Sequence, residues 1–374
     1  MTRVPKNRRT EQNSLADGES WAGLAKLESL FDSGHYAGAT TLGESMLGLP
    51  GQASFRGRVR LQLAMTYLQL GNPDLASTLL AQAKLYFAAI NDAEMIVECM
   101  GAEAAVACLE QRQDALGLAM AALEACRSLR EVPNELELRI LTSLAGAQLL
   151  AGQKSEAITT FEDAISRADP VVDMRRLGKL LGNAAIAYRE LGQLEKAVGC
   201  SKRAVALFET LHDLVSLARE ENNLGCYLLS CGDLTSARSH LERSLQLFDQ
   251  TNLLKARSLL LLSLCELCLA EGNLEQAMTR ADAAVEAGQS QKEAWSVASA
   301  RMWKGRIATR LGDDVGADDE FERAVAILEK SGMSNRLVAC HTEYADILER
   351  RGDLARAYEQ LKMAFQVRAP RRWD

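Results

Sequence analysis

The sequence predicts an all-α fold built as a solenoid of tandem helix-turn-helix units. Three observations carry this expectation. A glycine followed five residues later by a small residue returns about every forty residues. A second small residue stands seven positions before most of those glycines. The composition is that of packed helices, 48% apolar but only 5% aromatic, without the alternating Val, Ile and Thr runs that half-buried strands require.

At 374 residues the chain is long for one core, and a fixed period selects an elongated repeat array over two or three globular domains. In order, the turns fall at Gly34 with Ala39, Gly71 with Ala76, Gly152 with Ala157, Gly192 with Ala197, Gly232 with Ala237, Gly272 with Ala277, Gly312 with Ala317 and Gly352 with Ala357. Counting back forty from Gly152 reaches Arg112, which places a third copy without its glycine there and makes Gly117 its small residue. That gives nine copies. The small position before the turn is Ala64, Ala105, Ala145, Ala185, Gly225, Cys265, Gly305 and Ala345, with Leu27 breaking the pattern in the first copy.

Each copy reads as a helix A, a tight turn whose glycine supplies a permissive backbone, and a helix B. Close helix crossings need small side chains where the backbones approach, which explains the two small positions. The Asp or Asn beside glycine in GNP, GDL, GNL and GDD suits the cap of helix B. Neither helix can bury its apolar face alone, so the pairs must stack. The stretches NNLGCYLLSCGDLTSARSHLERSLQLF and AAIAYRELGQLEKAVGCSKRAVALF, through Gly225, Gly232, Ala237 and Ser244 and through Tyr188, Gly192, Ala197 and Ala204, resemble tetratricopeptide repeats. The period of forty exceeds that family's thirty-four, and the proline that commonly closes helix B is mostly missing, which implies longer helices. The array is expected over residues 20–368, with a flexible basic segment over 1–19 and a basic tail over 369–374.

A formal charge of −7 argues against a nucleic-acid footprint, which depends on clustered positive charge. The opening residues lack the apolar core of a secretory signal, and no run is long enough to span a membrane, so a cytoplasmic protein is expected. Nine scattered cysteines fit a reducing compartment.

The resemblance implies a right-handed α-α superhelix with a concave surface lined by helix A. If positions four, seven, eight and eleven of helix A pack inward, then positions two, five, six and nine form another face. Position two carries Arg139, Lys179 and Arg219, with Arg58 upstream; position six carries Gln62, Ser143, Asn183, Asn223, Ser263 and Trp303. Asn222 adjoins this row, and Arg306 shares the face of Trp303. Residues one period apart are stacked neighbours, so a basic row runs beside an amide and hydroxyl row. Amides can pair with the backbone of an extended peptide, and Arg and Lys capture carboxylates or phosphates. The expected partner is therefore a protein or peptide carrying acidic groups. Farther along, Glu343 and Asp346 change the sign of the face.

Catalytic motifs are missing from the sequence. Cys265 and Cys268 form a CxxC with no second half-site, His35, His212, His240 and His341 fall in different copies, and no phosphate-binding or nucleophile motif is present. No enzyme, metal or cofactor is implied. The expected function is a protein-interaction module acting as scaffold, adaptor or sensor. Its alternative is a bacterial-type regulatory array whose transcriptional or signalling output a partner supplies. Self-association through the terminal repeats is a further expectation, because an end repeat without a polar cap exposes apolar surface.

Overall fold

The computed structural model describes residues 8–251 and 257–368. Among them are eighteen α-helices and no strand, arranged as nine pairs: α1 Arg8–Asp32 with α2 Tyr36–Met46, α3 Ala53–Gln69 with α4 Pro73–Ala89, α5 Ala93–Leu109 with α6 Ala115–Arg127, and α7 Asn134–Leu150 with α8 Lys154–Arg167. Then follow α9 Met174–Glu190 with α10 Leu194–Thr210, α11 Leu214–Ser230 with α12 Leu234–Thr251, α13 Arg257–Ala270 with α14 Leu274–Ser290, α15 Ala294–Leu311 with α16 Asp314–Lys330, and α17 Ser334–Arg350 with α18 Leu354–Arg368. Helix α1 begins at Arg8 and so reaches into the first nineteen residues, which composition alone marks as a flexible segment. Residues 369–374 lie outside the described residues.

The forty-residue period has a simple geometric origin. Helices α9 and α10 are each 17 residues long, and each ends in a three-residue turn, 191–193 and 211–213. The turn itself is closed by two hydrogen bonds, from Gly192 N to Arg189 O at 2.9 Å and from Gln193 N to Tyr188 O at 2.9 Å, with Gly192 at φ 74°. This is the Schellman arrangement, which needs a left-handed residue and therefore selects glycine. All nine intrapair turns repeat it. The side chains of Asp233, Asn273, Asp313 and Asp353 accept from the backbone N–H three residues on and cap their B helices, whereas Asn72 makes no such cap and precedes Pro73 instead.

The third copy departs from the expected register. Its left-handed residue is Gln111 at φ 55°, with Gln111 N bonded to Cys108 O and Arg112 N to Ala107 O. The turn therefore sits one residue before Arg112. The small residue before it is Ala104, fully buried, rather than the half-buried Ala105. Helix α6 has also lost most of its first turn, so Ala115 is the buried small residue. Gly117 is exposed, and a Cβ there would meet nothing within 4 Å.

Elsewhere the small positions do what close packing demands. A Cβ on Gly225 would lie 2.6 Å from Leu241 Cγ, and one on Gly305 would lie 2.6 Å from Phe321 Cε2. The exceptional Leu27 is fully buried because the second helix supplies the small partner, Gly43, whose absent Cβ would sit 3.5 Å from Leu27 Cδ1. Packing divides the chain into two compact units, Met1–Glu220 and Glu221–Asp374. Core clusters in the first centre on Leu24, Leu27 and Phe55 and on Leu63, Leu80 and Phe87; in the second, on Ala277, Ala281 and Ile307 and on Phe321, Leu328 and Tyr344.

Candidate functional site

The first unit encloses an open cavity of about 810 Å³. Every helical residue lining it comes from the first helix of a pair, α1, α3, α5, α7 or α9, with the loops before α7 and α9 closing one side. Helix A geometry produces this: a residue thirteen before the turn and another nine before it lie about one helical turn apart on one face, and stacking repeats that face along the unit. The expected basic row is there as Arg58, Arg139 and Lys179, and the amide and hydroxyl row as Gln62 and Ser143.

The shifted third turn adds a rung of opposite sign. Thirteen residues before Gln111 stands Glu98, not a cation, and it receives Arg139 Nη2 at 2.7 Å. Arg139 also lies 3.6 Å from Glu135, which in turn takes Arg176 Nη2 at 2.5 Å. Charges of both signs thus alternate along the wall. Burial raises the pKa of Glu98 above the usual carboxylate range, with Arg139 opposing the rise. Burial likewise raises Glu28 against Arg58 and Asp32 against Arg175. Glu135 ends lower than usual because Arg176 and Arg139 outweigh the burial that would raise it.

At the far end of the cavity the first two pairs meet residues more than a hundred positions away. Lys179 Nζ donates to Gln69 Oε1 at 3.0 Å and stands 6.0 Å from the centre of the Phe31 ring. Arg219 Nη2 donates to the Gln69 carbonyl at 3.1 Å. Burial lowers the Lys179 ammonium to about 8 and lowers Arg219 below the usual guanidinium value. Beside them the turn at Gly34 rests on Asp213, whose fully buried carboxylate is held by Arg175 and by Ser216. This clasp was not expected from the sequence. Asp213 sits in a turn between repeats, and nothing in the forty-residue pattern pairs it with the first copy.

The remaining expected site residues are distributed differently. Asn183 is half-buried on α9 but does not line the cavity. Asn222, Asn223, Trp303 and Arg306 belong to the second unit. There the Asn222 Oδ1 is buried without a hydrogen-bond partner, and Asn223 is half-buried. Arg306 stacks over the Trp303 ring at 4.1 Å and is committed to Glu343, with Nη2 at 2.6 Å from Oε2, so its charge is already matched. The acidic residues Glu28, Asp32, Glu98 and Glu135 are the groove components missed in the sequence. For Glu98 the signal was present but hidden by the one-residue slip at Arg112.

All nine cysteines are free thiols, and Cys265 and Cys268 are buried in the packing between α13, α14 and α15. Burial pushes the Cys265 thiol up to about 12, the direction of an inert side chain. Among the described residues no cluster of metal-binding side chains occurs, and no helix is long and apolar enough to cross a membrane.

No protein-family model matches the chain, and no curated protein matches it. Solved structures do. A Rap protein in complex with competence and sporulation factor aligns at a TM-score of 0.66 and 14% identity, over 94% of this chain and 98% of that one. The apo quorum sensor NprR of Bacillus thuringiensis aligns at 0.62 and 14%, over 94% and 99%. Aspartyl phosphate phosphatase F of Bacillus subtilis aligns at 0.60 and 12%, over 99% and 97%. Identities this low carry the fold and nothing finer. The chain is a tetratricopeptide-like helical repeat array, with the fold of these Rap and NprR proteins.

Proposed function

We propose that the protein is a sensor or adaptor that binds an extended peptide, or a peptide-like segment of a partner protein, in the cavity of the first unit. The observation that carries this reading is the cavity wall: helix A faces that present cations and one carboxylate, Arg58, Glu98, Arg139 and Lys179, beside Gln62 and Ser143. An extended peptide presents alternating N–H and C=O groups along its length, and amide, hydroxyl and charged groups spaced by the repeat can satisfy them in turn. The cavity of about 810 Å³ falls within the ~300–1,000 Å³ typical of ligand sites. Met65, Ala102 and Ile140 supply apolar floor between the polar rows.

The fold neighbours agree with a sensing role, since one is named a quorum sensor and another was solved with competence and sporulation factor. The signal would reach its output through a partner protein, and the groove rather than a catalytic constellation would do the chemical work. Acidic groups on the ligand would engage Lys179 and Arg58, which line the cavity.

The test is selection of ligands from a displayed library of short peptides, followed by calorimetric titration of a selected peptide. Wild type should bind, and Ala105→Trp, which fills the cavity from α5, should weaken binding by at least about tenfold while retaining its helical circular dichroism. Selected peptides that bind Ala105→Trp as tightly as wild type would show that the cavity is not the site.

A further inference from the structure

The last described helix carries an apolar stripe that no described residue covers. On α18, Leu354 is 65% exposed, Tyr358 66%, Leu361 48% and Phe365 74%. At 100° per residue these four fall within about 60° of the helix circumference and extend about 17 Å along it. Met363, also exposed, lies on the opposite side.

The inner repeats show what such a stripe is for. Leu361 stands nine residues after its turn glycine, as Phe321 does on α16. Phe321 is fully buried and stacks on Tyr344 of α17 with ring centres 5.0 Å apart. Tyr358 and Phe365 match Met278 and Val285 of α14, which pack into clusters with Ile307 and Ala300 of α15. The positions that are bare on α18 are therefore those that the next helix covers inside the array.

The first helix is built the other way. In later A helices the residues twelve, eight and five before the turn are buried, for example Ile140, Leu144 and Ala147 on α7 or Cys340, Tyr344 and Ile347 on α17, except Glu103 of α5 and Lys304 of α15, which are half-buried and ion-paired to Lys84 and to Asp282 and Glu320. On α1 these positions are Ala22, Lys26 and Ser29, all exposed. One end of the array is thus dressed for water, and head-to-tail stacking of copies would bury Lys26 against the α18 stripe.

We propose that α18 docks on α18 of a second copy of this chain, antiparallel about a two-fold axis. The spacing of the stripe is 4, 3, 4 and reads the same in both directions. An antiparallel copy therefore sets Leu354 against Phe365 of its partner and Tyr358 against Leu361, large against medium along the seam, as a self-complementary patch requires. The contact is small, of the order of 800 Å² in total, so association is weak and concentration-dependent.

Sedimentation of the full chain over about 1–500 μM, the range in which an interface of this size associates, should show monomer passing to dimer and no larger species. Phe365→Glu and Tyr358→Glu should raise the dissociation constant by about a hundredfold or more, with unchanged helical circular dichroism, and Met363→Glu should leave it unaltered. In a Cys231→Ser background, Leu361→Cys, which is on the stripe and next to the two-fold axis, faces its own copy and should form an interchain disulfide on mild oxidation. A wild type that stays monomeric, species that grow without limit, or a Phe365→Glu chain that dimerises as wild type does would overturn the proposal. So would a Leu361→Cys chain that resists interchain oxidation, because it would place the contact elsewhere.

Discussion

Lys179 is a cation in a place that does not favour one. Its Nζ reaches Gln69 Oε1 and the face of Phe31, yet burial lowers it to about 8, with only Asp213 pulling the other way against Arg175, Arg219 and Arg176. Because the folded value lies below the ordinary 10.5, the unfolded chain holds more protons between those two pH values. The charge therefore costs stability below about pH 8, and the cost is relieved as pH rises toward 10.5. Lys179→Met should accordingly stabilise the protein at pH 7 by on the order of 1 kcal/mol in urea unfolding, after discounting for partial solvation. The advantage should vanish near pH 10.5; an equal gain at both pH values would show that packing, not charge, is responsible. A residue kept at such a cost in a groove is a good candidate for a ligand contact.

Among the elements, α6 shows how a repeat can slip without being lost. Its turn uses Gln111 at φ 55° in place of glycine, and its helix starts at Ala115. The buried sequence Ala115, Ala119 and Ala122 takes the places that Ala157, Phe161 and Ala164 hold in α8. The two small residues near the turn are therefore not equivalent. Ala115→Leu should destabilise the chain by about 1–3 kcal/mol through overpacking, whereas Gly117→Leu should be neutral or stabilising by up to about 1 kcal/mol, because it replaces an exposed helical glycine. Chemical denaturation of the two variants decides it, and the reverse order would restore the turn to Arg112. The same slip converts one rung of a basic ladder into Glu98, which interrupts the cationic track with a carboxylate between Arg58 and Arg139.

For the whole molecule, a repeat array is held by neighbour contacts, so a contact between distant repeats stands out. The clasp of the first unit joins the Gly34 turn to Asp213 and Arg175. Gly34 meets two demands at once: φ is 77°, and a Cβ would lie 2.9 Å from Asp213 Oδ1. Gly192 meets only the first, at φ 74° with open space around it. Alanine at Gly192 should cost about 1–2 kcal/mol for the left-handed backbone, and at Gly34 about 1 kcal/mol more for the collision with a fixed carboxylate. Equal losses in denaturant unfolding would mean that the clasp does not persist in solution. Its loss should also weaken peptide binding, since Phe31 and Lys179 meet beside it.

The sequence by itself determined the helix pairs, their number and most of their register. Turn geometry and close packing leave local traces: Gly at a left-handed turn, Ala or Gly where backbones cross, Asp or Asn at a cap. Eight of the nine turns could be read in this way, and the ninth shifted because Gln111 carries no such trace. The basic row of Arg58, Arg139 and Lys179 was legible too, since stacking places residues one period apart side by side. Only the tertiary structure decided which parts of that row share a cavity, which cations are already neutralised, as Arg306 is by Glu343, and which distant turns touch, as Gly34 and Asp213 do. The physical reason is one of range. Backbone strain and helix crossings are settled within about forty residues, whereas the curvature that carries Gln69 to Lys179 and Arg219 accumulates from small rotations at every repeat and has no signature in any single one.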